Sequence, residues 1–354
     1  MKIAWLSFYS GKIDRGVEVA TAALATRLSQ KHEVSVFQAG SAAIPGVNTI
    51  QLPVETKWPS DTSQSWWRFF YLDYYSRKIS KFTLKFLPFL FKYQYDVVIP
   101  TNGGWQIVIL RLITWLLKKK LVVAGNAGIG RDDAWQLLWR PDHYIAISPQ
   151  GYEWATRKSS QVAITYIPYG VDMEKIAKAK PQLISLTKPI VLCVAAFIPL
   201  KRIDLLIRAM EKVPEASLLV IGNGPEEQSL RKLGEKLLGK RFLLLTNIRH
   251  EELISYYKAA ALFSLPSKSS EAFGIVYVEA LAAGLPVVAT RDKNRTAIID
   301  GAGILVEPED ITAYAEAIKQ ALKSDLKEQA QTQARKYSWD GITKQYAQLL
   351  QKLI

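Results

Sequence analysis

Short apolar segments alternate with amphipathic segments along almost the whole chain, and this alternation constrains the fold more than any other feature. Runs such as Ile190-Val191-Leu192-Cys193-Val194 are typical of parallel strands that are covered by helices on both faces. Two sets of strands are predicted, at residues 2–8, 33–38, 96–101, 121–125, 143–148 and 163–169, and at 190–196, 217–222, 242–246, 261–266, 286–290 and 303–307. Helices are predicted between them, for example at 17–30 and 203–212. The pattern predicts two Rossmann-like α/β domains.

The length of 354 residues and a polar stretch near the middle set the expected domain boundaries. Residues 173–188 separate the two sets of strands and contain Pro181, so we predict a hinge there. The sequence therefore predicts an N-terminal domain at residues 1–172 and a C-terminal domain at 173–336.

Cysteine usage and the N-terminus indicate a cytoplasmic protein. The single cysteine, Cys193, lies in an apolar run and is predicted to be a buried, unreactive side chain. The absence of an internal disulfide agrees with a reducing compartment. The apolar run from Met1 to Phe8 is too short for a signal peptide and is predicted to be the first strand. Residues 107–117 contain Arg111 and are too short to span a bilayer, so we expect a buried helix.

Positive charge and tryptophan are concentrated in the first half of the chain, whose total formal charge is +14. Residues 1–170 hold 20 lysines and arginines against 11 acidic residues, and nine of the ten tryptophans, all except Trp339. A basic surface with interfacial aromatic residues suits an anionic membrane, and a basic surface also suits nucleic acid.

Residues 66–92, from Trp66 to Lys92, predict an amphipathic helix with a basic flank. Its apolar stripe comprises Leu72, Tyr75, Ile79, Phe82, Phe86 and Phe89, and its flank comprises Lys78, Lys81, Lys85 and Lys92. This pattern is typical of a helix lying on an anionic membrane surface. It is equally typical of an ordinary domain helix with a basic edge. The aromatic residues follow a helical stripe rather than an RNA-binding strand motif, so no nucleic-acid partner is expected.

Two glutamates, Glu271 and Glu279, flank a loop that enters a helix. Phe273 and Gly274 open that helix, so its free N–H groups face the same space as the first carboxylate. A helix N-terminus suits a diphosphate or a sugar hydroxyl, and a carboxylate suits a ribose diol. A solvated helix with two acidic residues has the same local pattern. The loops described next favour a nucleotide-sugar site.

Three other loops follow predicted strands and have a composition suited to phosphate. Gly222 and Gly224 end a strand, where they allow close backbone approach to a ligand or form a tight turn. Lys201 and Arg202 lie at the tip of another strand–helix loop, where they can meet a diphosphate. Gly16 lies between the first strand and the first helix, without a complete Gly-x-Gly-x-x-Gly motif.

Eight segments then follow one another in a fixed order: Arg15-Gly16-Val17-Glu18, Ile167-Pro168-Tyr169-Gly170-Val171-Asp172, Lys201-Arg202, Gly222-Asn223-Gly224-Pro225, the two spaced glutamates, Ala283-Gly284-Leu285-Pro286-Val287-Val288-Ala289, Asp300-Gly301-Ala302-Gly303 and Tyr337-Ser338-Trp339-Asp340. In this order they resemble the GT-B retaining glycosyltransferases of family four, the glycosyl transferases group 1 family, over nearly the whole chain. The resemblance implies a GT-B fold with two Rossmann-like domains facing across a cleft. It also implies that residues 337–354 form a helix crossing back to the first domain.

The resemblance implies roles for the donor-binding residues. Glu271 would hold the hydroxyls of the donor sugar, assisted by the amides of Phe273 and Gly274. Glu279 would hold the ribose. Lys201 would neutralise the negative charge of the diphosphate and so stabilise its departure.

Further donor contacts follow from the same resemblance. Gly16 would offer its amide to the β-phosphate, and the loops with Gly222, Gly224 and Arg202 would complete the donor site. No Asp-x-Asp motif is visible near these loops, so neither a metal ion nor another cofactor is expected.

The chain departs from the family pattern at two positions. Ala196 stands where relatives often have an arginine, so Arg202 is the candidate substitute for that phosphate-binding cation. Asn126 stands where many relatives have a histidine; it can bind a sugar hydroxyl but cannot take a proton. His32 and His250 are predicted to be surface residues and His143 a packing residue, so none is expected to be a general base.

The resulting expectation is a retaining glycosyltransferase on the cytoplasmic face of the membrane. It would move a sugar from a nucleotide-sugar donor to a lipid-linked or growing glycan acceptor in surface polysaccharide biosynthesis, with Glu271, Lys201 and Asn126 as the catalytic residues. Two alternatives remain: transfer to a small soluble acceptor, and a catalytically weak GT-B scaffold that binds a sugar nucleotide.

Overall fold

The computed structural model describes residues 1–13, 15–55 and 66–354; Asp14, in the predicted loop before the first helix, lies outside them. The chain divides into two units. The first contains Met1–Tyr169 and Trp339–Ile354, and the second contains Gly170–Ser338.

The first unit is built on a parallel sheet of seven strands in the order β3-β2-β1-β4-β5-β6-β7. The strands are β1 (Lys2–Leu6), β2 (Glu33–Gln38), β3 (Asn48–Gln51), β4 (Val97–Pro100), β5 (Lys120–Ala124), β6 (His143–Ala146) and β7 (Ile164–Tyr166). Central strands such as β1 and β4 are buried on both faces, which explains their continuous apolar sequences. The edge strand β3 is short and partly exposed, and the apolar pattern did not predict it.

Five helices of the first unit connect these strands: α1 (Gly16–Leu28), α2 (Tyr74–Tyr93), α3 (Trp105–Leu116), α4 (Arg131–Leu138) and α5 (Pro149–Lys158). The segment predicted as one helix at residues 66–92 is in fact a 3-10 helix, Trp66–Phe70, followed by α2. Asp73 separates the two, because its side chain accepts hydrogen bonds from the amides of Tyr75 and Ser76 at the start of α2.

The aromatic stripe of α2 belongs to the core of the first unit. Phe82 and Phe86 have no exposed surface, and their rings pack edge-on against Phe8 at 5.4 Å and Phe37 at 4.7 Å between centroids. Of the two interpretations of this stripe, the structure favours an ordinary domain helix with a basic edge, since Phe82 and Phe86 are already covered and cannot insert into a membrane. The lysines Lys81, Lys85 and Lys92 lie on the exposed side of the helix.

The second unit has a parallel sheet of six strands in the order β10-β9-β8-β11-β12-β13. Its strands and helices are, in chain order, α6 (Met173–Lys178), β8 (Ile190–Val194), α7 (Ile203–Glu211), β9 (Ser217–Ile221), α8 (Glu227–Leu238), β10 (Phe242–Leu245), α9 (His250–Ala259), β11 (Leu262–Leu265), α10 (Ile275–Ala282), β12 (Val287–Thr290), α11 (Lys293–Ile299), β13 (Gly303–Val306), α12 (Ile311–Lys323) and α13 (Lys327–Arg335). Short 3-10 helices occur at Pro199–Lys201 and Gly239–Arg241. Cys193 is fully buried in β8.

The last helix, α14 (Trp339–Leu353), packs within the first unit. Tyr346 stacks on Trp5 of β1 with 6.2 Å between ring centroids, and Asp340 accepts a hydrogen bond from Arg27 of α1 at 2.8 Å. Along the part of the chain that the structure describes, no helix is long and apolar enough to cross a membrane.

Candidate active site

The topology of the second sheet locates a candidate site. The strand order reverses between β8 and β11, and the loops that follow the carboxyl ends of these two strands carry Lys201 and Glu271. Ligands of open parallel sheets bind in the crevice at such a reversal. The two loops are joined by a backbone hydrogen bond of 2.9 Å from Lys268 to Leu200.

Lys201, Glu271 and Arg295 form a largely buried cluster at this point, with Lys201 and Glu271 partly exposed and Arg295 fully covered. One carboxylate oxygen of Glu271 is ion-paired with the ammonium group of Lys201, and the other accepts a hydrogen bond from the guanidinium of Arg295 at 3.0 Å. Arg295 is 1% exposed and also pairs with Asp292. Two cations therefore fix the position of the first of the two spaced glutamates.

The cluster keeps Glu271 ionised. Burial acts to raise the pKa of its carboxyl group, but the positive charges of Lys201 and Arg295 outweigh burial, so the pKa lies below its ordinary value. Burial likewise acts to lower the pKa of Arg295, because it disfavours the charged guanidinium. The neighbouring Tyr277 and Glu271 outweigh burial, so the pKa of Arg295 is raised. Glu271 is thus a permanent hydrogen-bond acceptor, suited to hold hydroxyl groups rather than to deliver a proton.

The start of α10 explains why glycine is needed beside Glu271. Gly274 adopts a φ of +83°, and a Cβ at this position would lie 2.5 Å from the nearest ring atom of Tyr277. The hydroxyl of Tyr277 donates to the carbonyl of Leu265 at 3.0 Å and accepts from Arg295 at 3.1 Å. Phe273, which precedes the glycine, is 3% exposed and packs near Tyr337. Its side chain is therefore structural.

The second glutamate, Glu279, is buried on α10 and held by α9. Its carboxylate accepts a hydrogen bond from the hydroxyl of Tyr257 at 2.9 Å and lies 2.7 Å from Nε2 of His250. The prediction that His250 is only a surface residue is therefore wrong: it opens α9 and its ring contacts a predicted donor-binding carboxylate. Burial raises the pKa of Tyr257, and the nearby charge of Glu279 raises it further, so Tyr257 remains a donor.

Arg202 is not part of this cluster. Its guanidinium donates to the carbonyls of Pro266 and Ser267 and to the hydroxyl of Thr290, at 2.7, 3.3 and 3.1 Å, and it pairs with Glu309. These bonds tie the ends of β11 and β12 together. The expectation that Arg202 replaces the cation absent at Ala196 is not supported, because the guanidinium is already engaged.

The two glycines after β9 have a structural reason of their own. A Cβ at Gly222 would lie 2.9 Å from the ring of Phe197, and one at Gly224, where φ is +155°, would lie 2.5 Å from the Phe197 carbonyl oxygen. The amide of Phe197 also donates to the carbonyl of Asn223 at 2.8 Å. The backbone that approaches these glycines therefore belongs to the loop between β8 and α7, which carries Lys201.

The predicted residues of the first unit lie at the ends of its central strands. Gly16 is the first residue of α1, and the preceding Arg15 pairs with Glu18 at 2.9 Å. Asn126 follows β5, and its side-chain oxygen accepts a hydrogen bond from the hydroxyl of Tyr169 at 2.5 Å.

A buried carboxyl group supports the loop that contains Asn126. Asp133, in the first turn of α4, is 3% exposed and accepts a hydrogen bond from Tyr144 at 2.9 Å. Burial raises the pKa of Asp133 to about 7, although bonds from Tyr144 and from the amide of Ala127 oppose this. The group therefore titrates near neutral pH, which the sequence did not reveal.

Arg295, Asp292, Tyr257 and Asp133 are the residues that sequence reasoning missed. Arg295, Tyr257 and Asp133 contact residues 24, 22 and 11 positions away in the chain, and Asp292 joins the site only through Arg295. Within residues 1–13, 15–55 and 66–354, no group of three or more histidine, cysteine or acidic side chains is arranged to hold a metal ion.

The two Rossmann-like parallel-sheet units define the class of the protein as a GT-B fold. The chain is similar over 99% of its length to sucrose-phosphate synthase from Thermosynechococcus elongatus, with a TM-score of 0.80 and 24% identity over 98% of that chain. It is also similar, over 99% of both chains, to an Anabaena protein solved with UDP and glucose, with a TM-score of 0.76 and 18% identity. Residues 174–339 match the family described as glycosyl transferases group 1. Over this part of the chain the resemblance to that family is confirmed.

Curated relatives match part of the chain. A GDP-mannose-dependent monoacylated alpha-(1-6)-phosphatidylinositol monomannoside mannosyltransferase of Corynebacterium glutamicum is 28% identical over 54% of this chain and 57% of its own length. A D-inositol 3-phosphate glycosyltransferase of Corynebacterium urealyticum is 30% identical over 63% of this chain and 58% of its own length. The chain thus spans less than two thirds of these relatives.

Proposed function

We propose that this chain is a retaining glycosyltransferase that moves a sugar from a nucleotide-sugar donor to a lipid-linked or growing glycan acceptor. The observation that carries the proposal is the buried cluster of Lys201, Glu271 and Arg295 at the strand reversal of the second unit. The match of residues 174–339 to the glycosyl transferases group 1 family supports the same reaction class.

The chemistry of the cluster suits departure of a nucleoside diphosphate. The ammonium group of Lys201 is the cation proposed to meet the diphosphate, since it pairs with one carboxylate and is partly exposed, whereas Arg295 is buried and pairs with two. In the proposed reaction, the bond between the anomeric carbon and the phosphate oxygen breaks as the acceptor oxygen bonds to that carbon. The proton of the acceptor hydroxyl goes to the released diphosphate, whose negative charge Lys201 stabilises. Glu271 accepts hydrogen bonds from the sugar hydroxyls.

Glu279 is the proposed ribose-binding carboxylate. Tyr257 and His250 each engage one of its oxygens, which orients the group, while a carboxylate retains further lone pairs for a diol. Gly16 and Asn126 in the first unit remain proposed ligands of the donor phosphate and sugar, in the roles that the family resemblance implies.

A lipid-linked acceptor and a role in surface polysaccharide biosynthesis are the finer part of the proposal. Relatives named for phosphatidylinositol monomannoside substrates support a lipid acceptor. The cytoplasmic face of the membrane is our proposed location for this transfer. A soluble acceptor is the second candidate, because other relatives are named for D-inositol 3-phosphate. A catalytically weak scaffold is the third, motivated by Ala196 and Asn126.

A donor screen followed by acceptor assays tests the proposal. Thermal shift identifies which nucleotide sugars bind, and nucleotide release is then measured with phosphatidylinositol mannoside vesicles or with D-inositol 3-phosphate. Acceptor-dependent release that Lys201→Ala abolishes supports a transferase, and the anomeric configuration of the product, read by NMR, decides retention. Donor binding without release under any condition would favour the scaffold.

A further inference from the structure

The first unit exposes an unusual group of large apolar side chains on its helices. Along α3, Trp105, Leu112, Trp115 and Leu116 are 38%, 55%, 71% and 67% exposed, and Leu138 at the end of α4 is 68% exposed. We define these five residues, with the 3-10 helix Trp66–Phe70, as the tryptophan surface. In the second unit, among the residues that the structure describes, Leu183 is the one large apolar side chain exposed to a similar degree.

The parts of the tryptophan surface are connected to one another. The indole N–H of Trp105 donates to the carbonyl of Phe70 at 3.1 Å, which joins α3 to the 3-10 helix. The rings of Trp105 and Trp135 are 6.4 Å apart, and those of Trp135 and Trp139 are 5.9 Å apart. An aromatic path therefore runs from the 3-10 helix along α3 and α4 to Leu138.

The fold does not need these side chains. The inner face of α3 buries Ile107 and Leu110 completely, so the helix is already anchored to the sheet. The outer residues, at positions 105, 112, 115 and 116, are spaced so that they form a second apolar face of the helix. Contiguous exposed apolar surface of this kind marks an interaction site.

The charge around the tryptophan surface indicates the kind of partner. Residues 66–140 contain twelve lysines and arginines and four aspartates, and no glutamate. Asp73 caps α2, and Asp132 bonds to Tyr71 at 2.8 Å, so these acidic groups are already engaged. Asp96 and Asp133 are likewise bonded within the unit. The net field is positive, and a negatively charged partner with an apolar interior is complementary to it.

A pocket in this surface combines the two properties. It has a volume of about 300 Å³ and is lined by Arg111, Leu112, Trp115, Leu138, Trp139 and Arg140. Arg111 is paired with Asp142 at 2.8 Å, whereas Arg140 is exposed and makes no ion pair with a described residue. An arginine beside apolar walls suits a lipid phosphate with the first carbons of its acyl chains.

We propose that the tryptophan surface docks on an anionic phospholipid bilayer, with a lipid phosphate at Arg140 and the tryptophans at the level of the headgroups. Tryptophan prefers that level because one end of its ring is apolar and the other is polar. The docking involves α3, α4 and the 3-10 helix rather than the buried stripe of α2. It deepens the proposed function, because it would bring the chain to lipid-linked acceptors, but it does not require the transfer reaction.

Vesicle flotation tests the proposal. The wild-type chain is mixed with phosphatidylcholine vesicles, with and without phosphatidylglycerol, at low and high salt. We expect the wild-type chain to bind the anionic vesicles more strongly at low salt than at high salt, where the charges are screened. The double variant Trp115→Ser/Leu116→Ser should bind at least roughly tenfold more weakly, since two exposed apolar side chains no longer insert. Arg140→Gln should lose roughly fivefold at low salt, as expected for one cation near an anionic surface.

Controls separate docking from misfolding and from catalysis. Leu183→Ser removes an apolar side chain of the second unit that is even more exposed, and this variant should bind vesicles like the wild type. Thermal shift by the donor nucleotide, measured on every variant, reports the fold and the proposed donor site. Vesicle binding that is absent in the wild type, or unchanged in the double variant, would overturn the proposal even if the nucleotide still binds. A dimer in sedimentation that the double variant dissociates would assign the surface to a second copy and would also overturn it.

Discussion

Replacement of Arg295 by methionine is the sharpest test of how the candidate site is built. The guanidinium donates to Glu271 at 3.0 Å, to the hydroxyl of Tyr277 at 3.1 Å and to the carbonyl of Lys268 at 3.1 Å, and it pairs with Asp292. Methionine fills much of the volume but supplies none of these donors. Glu271 would keep Lys201 as its partner, while Asp292 would lose its buried cation.

The expected cost follows from the burial of this network. Removal of one partner from a buried ion pair costs about 3–5 kcal/mol, because the remaining charge stays buried. For a unit of this size, each kcal/mol lowers the melting temperature by roughly 2–4 °C, so Arg295→Met should lower it by roughly 6–20 °C. Arg295→Lys keeps the charge, so its melting temperature should lie between those of Arg295→Met and the wild type.

The pH dependence gives a second, independent measure. Arg295 helps to hold the pKa of Glu271 below its ordinary value, and this contributes stability above the unfolded-state pKa that is lost as the pH falls through the folded-state pKa. Without Arg295 the folded-state pKa rises towards the unfolded-state value, so the variant should lose less stability on acidification, over a narrower pH range. The difference in stability between wild type and Arg295→Met should therefore be largest near neutral pH.

Differential scanning fluorimetry and calorimetry with nucleoside diphosphate make the measurement. Arg241→Met is the matched control, because the guanidinium of Arg241 donates to the carbonyls of Val213 and Ala216 and makes no ion pair with a described residue. It should destabilise the unit without changing the acid limb or the turnover number. If Arg295→Met were no more destabilising than this control, and its acid limb were unchanged, the proposed positioning of Glu271 by Arg295 would be refuted.

Three further predictions concern the two glutamates, the loop cations and the buried aspartate. Glu279→Ala should weaken nucleotide binding by about 1.5–3 kcal/mol in calorimetry, because charged hydrogen bonds are lost, whereas Glu271→Gln should lower turnover more than binding. Equal loss of binding in both variants would contradict the assignment. Lys201→Ala should weaken diphosphate binding more than Arg202→Ala, which should chiefly lower the melting temperature; a silent Lys201→Ala variant would exclude Lys201 as the phosphate cation. Asp133 must ionise in a buried site, so the wild type should lose up to roughly 4 kcal/mol of stability as the pH rises from about 4 to 7, and Asp133→Asn should flatten that change in denaturant titrations. Parallel pH profiles for wild type and Asp133→Asn would show that the carboxyl group titrates normally.

The strands and the glutamate motif were predictable because their signals are local. A strand buried on both faces needs a continuous apolar run, and β2 is found at the residues where the pattern predicts it. Glu271 and Glu279 lie on either side of one helix start, so their separation can be read directly from the sequence. The short edge strand β3 was not predictable in this way, since its half-exposed residues carry little periodicity.

The sequence by itself determined two Rossmann-like units, the loops after β8 and β11, and the residue types placed in them. Only the tertiary structure decided how those residues are used: Arg295 and His250 reach Glu271 and Glu279 across 24 and 29 positions of the chain. It likewise decided that Phe82 and Phe86 face the core while Trp115 faces solvent. The physical reason is that hydrophobic periodicity shows that a helix has an apolar face, whereas the packing of that helix on the sheet decides which apolar side chains are covered.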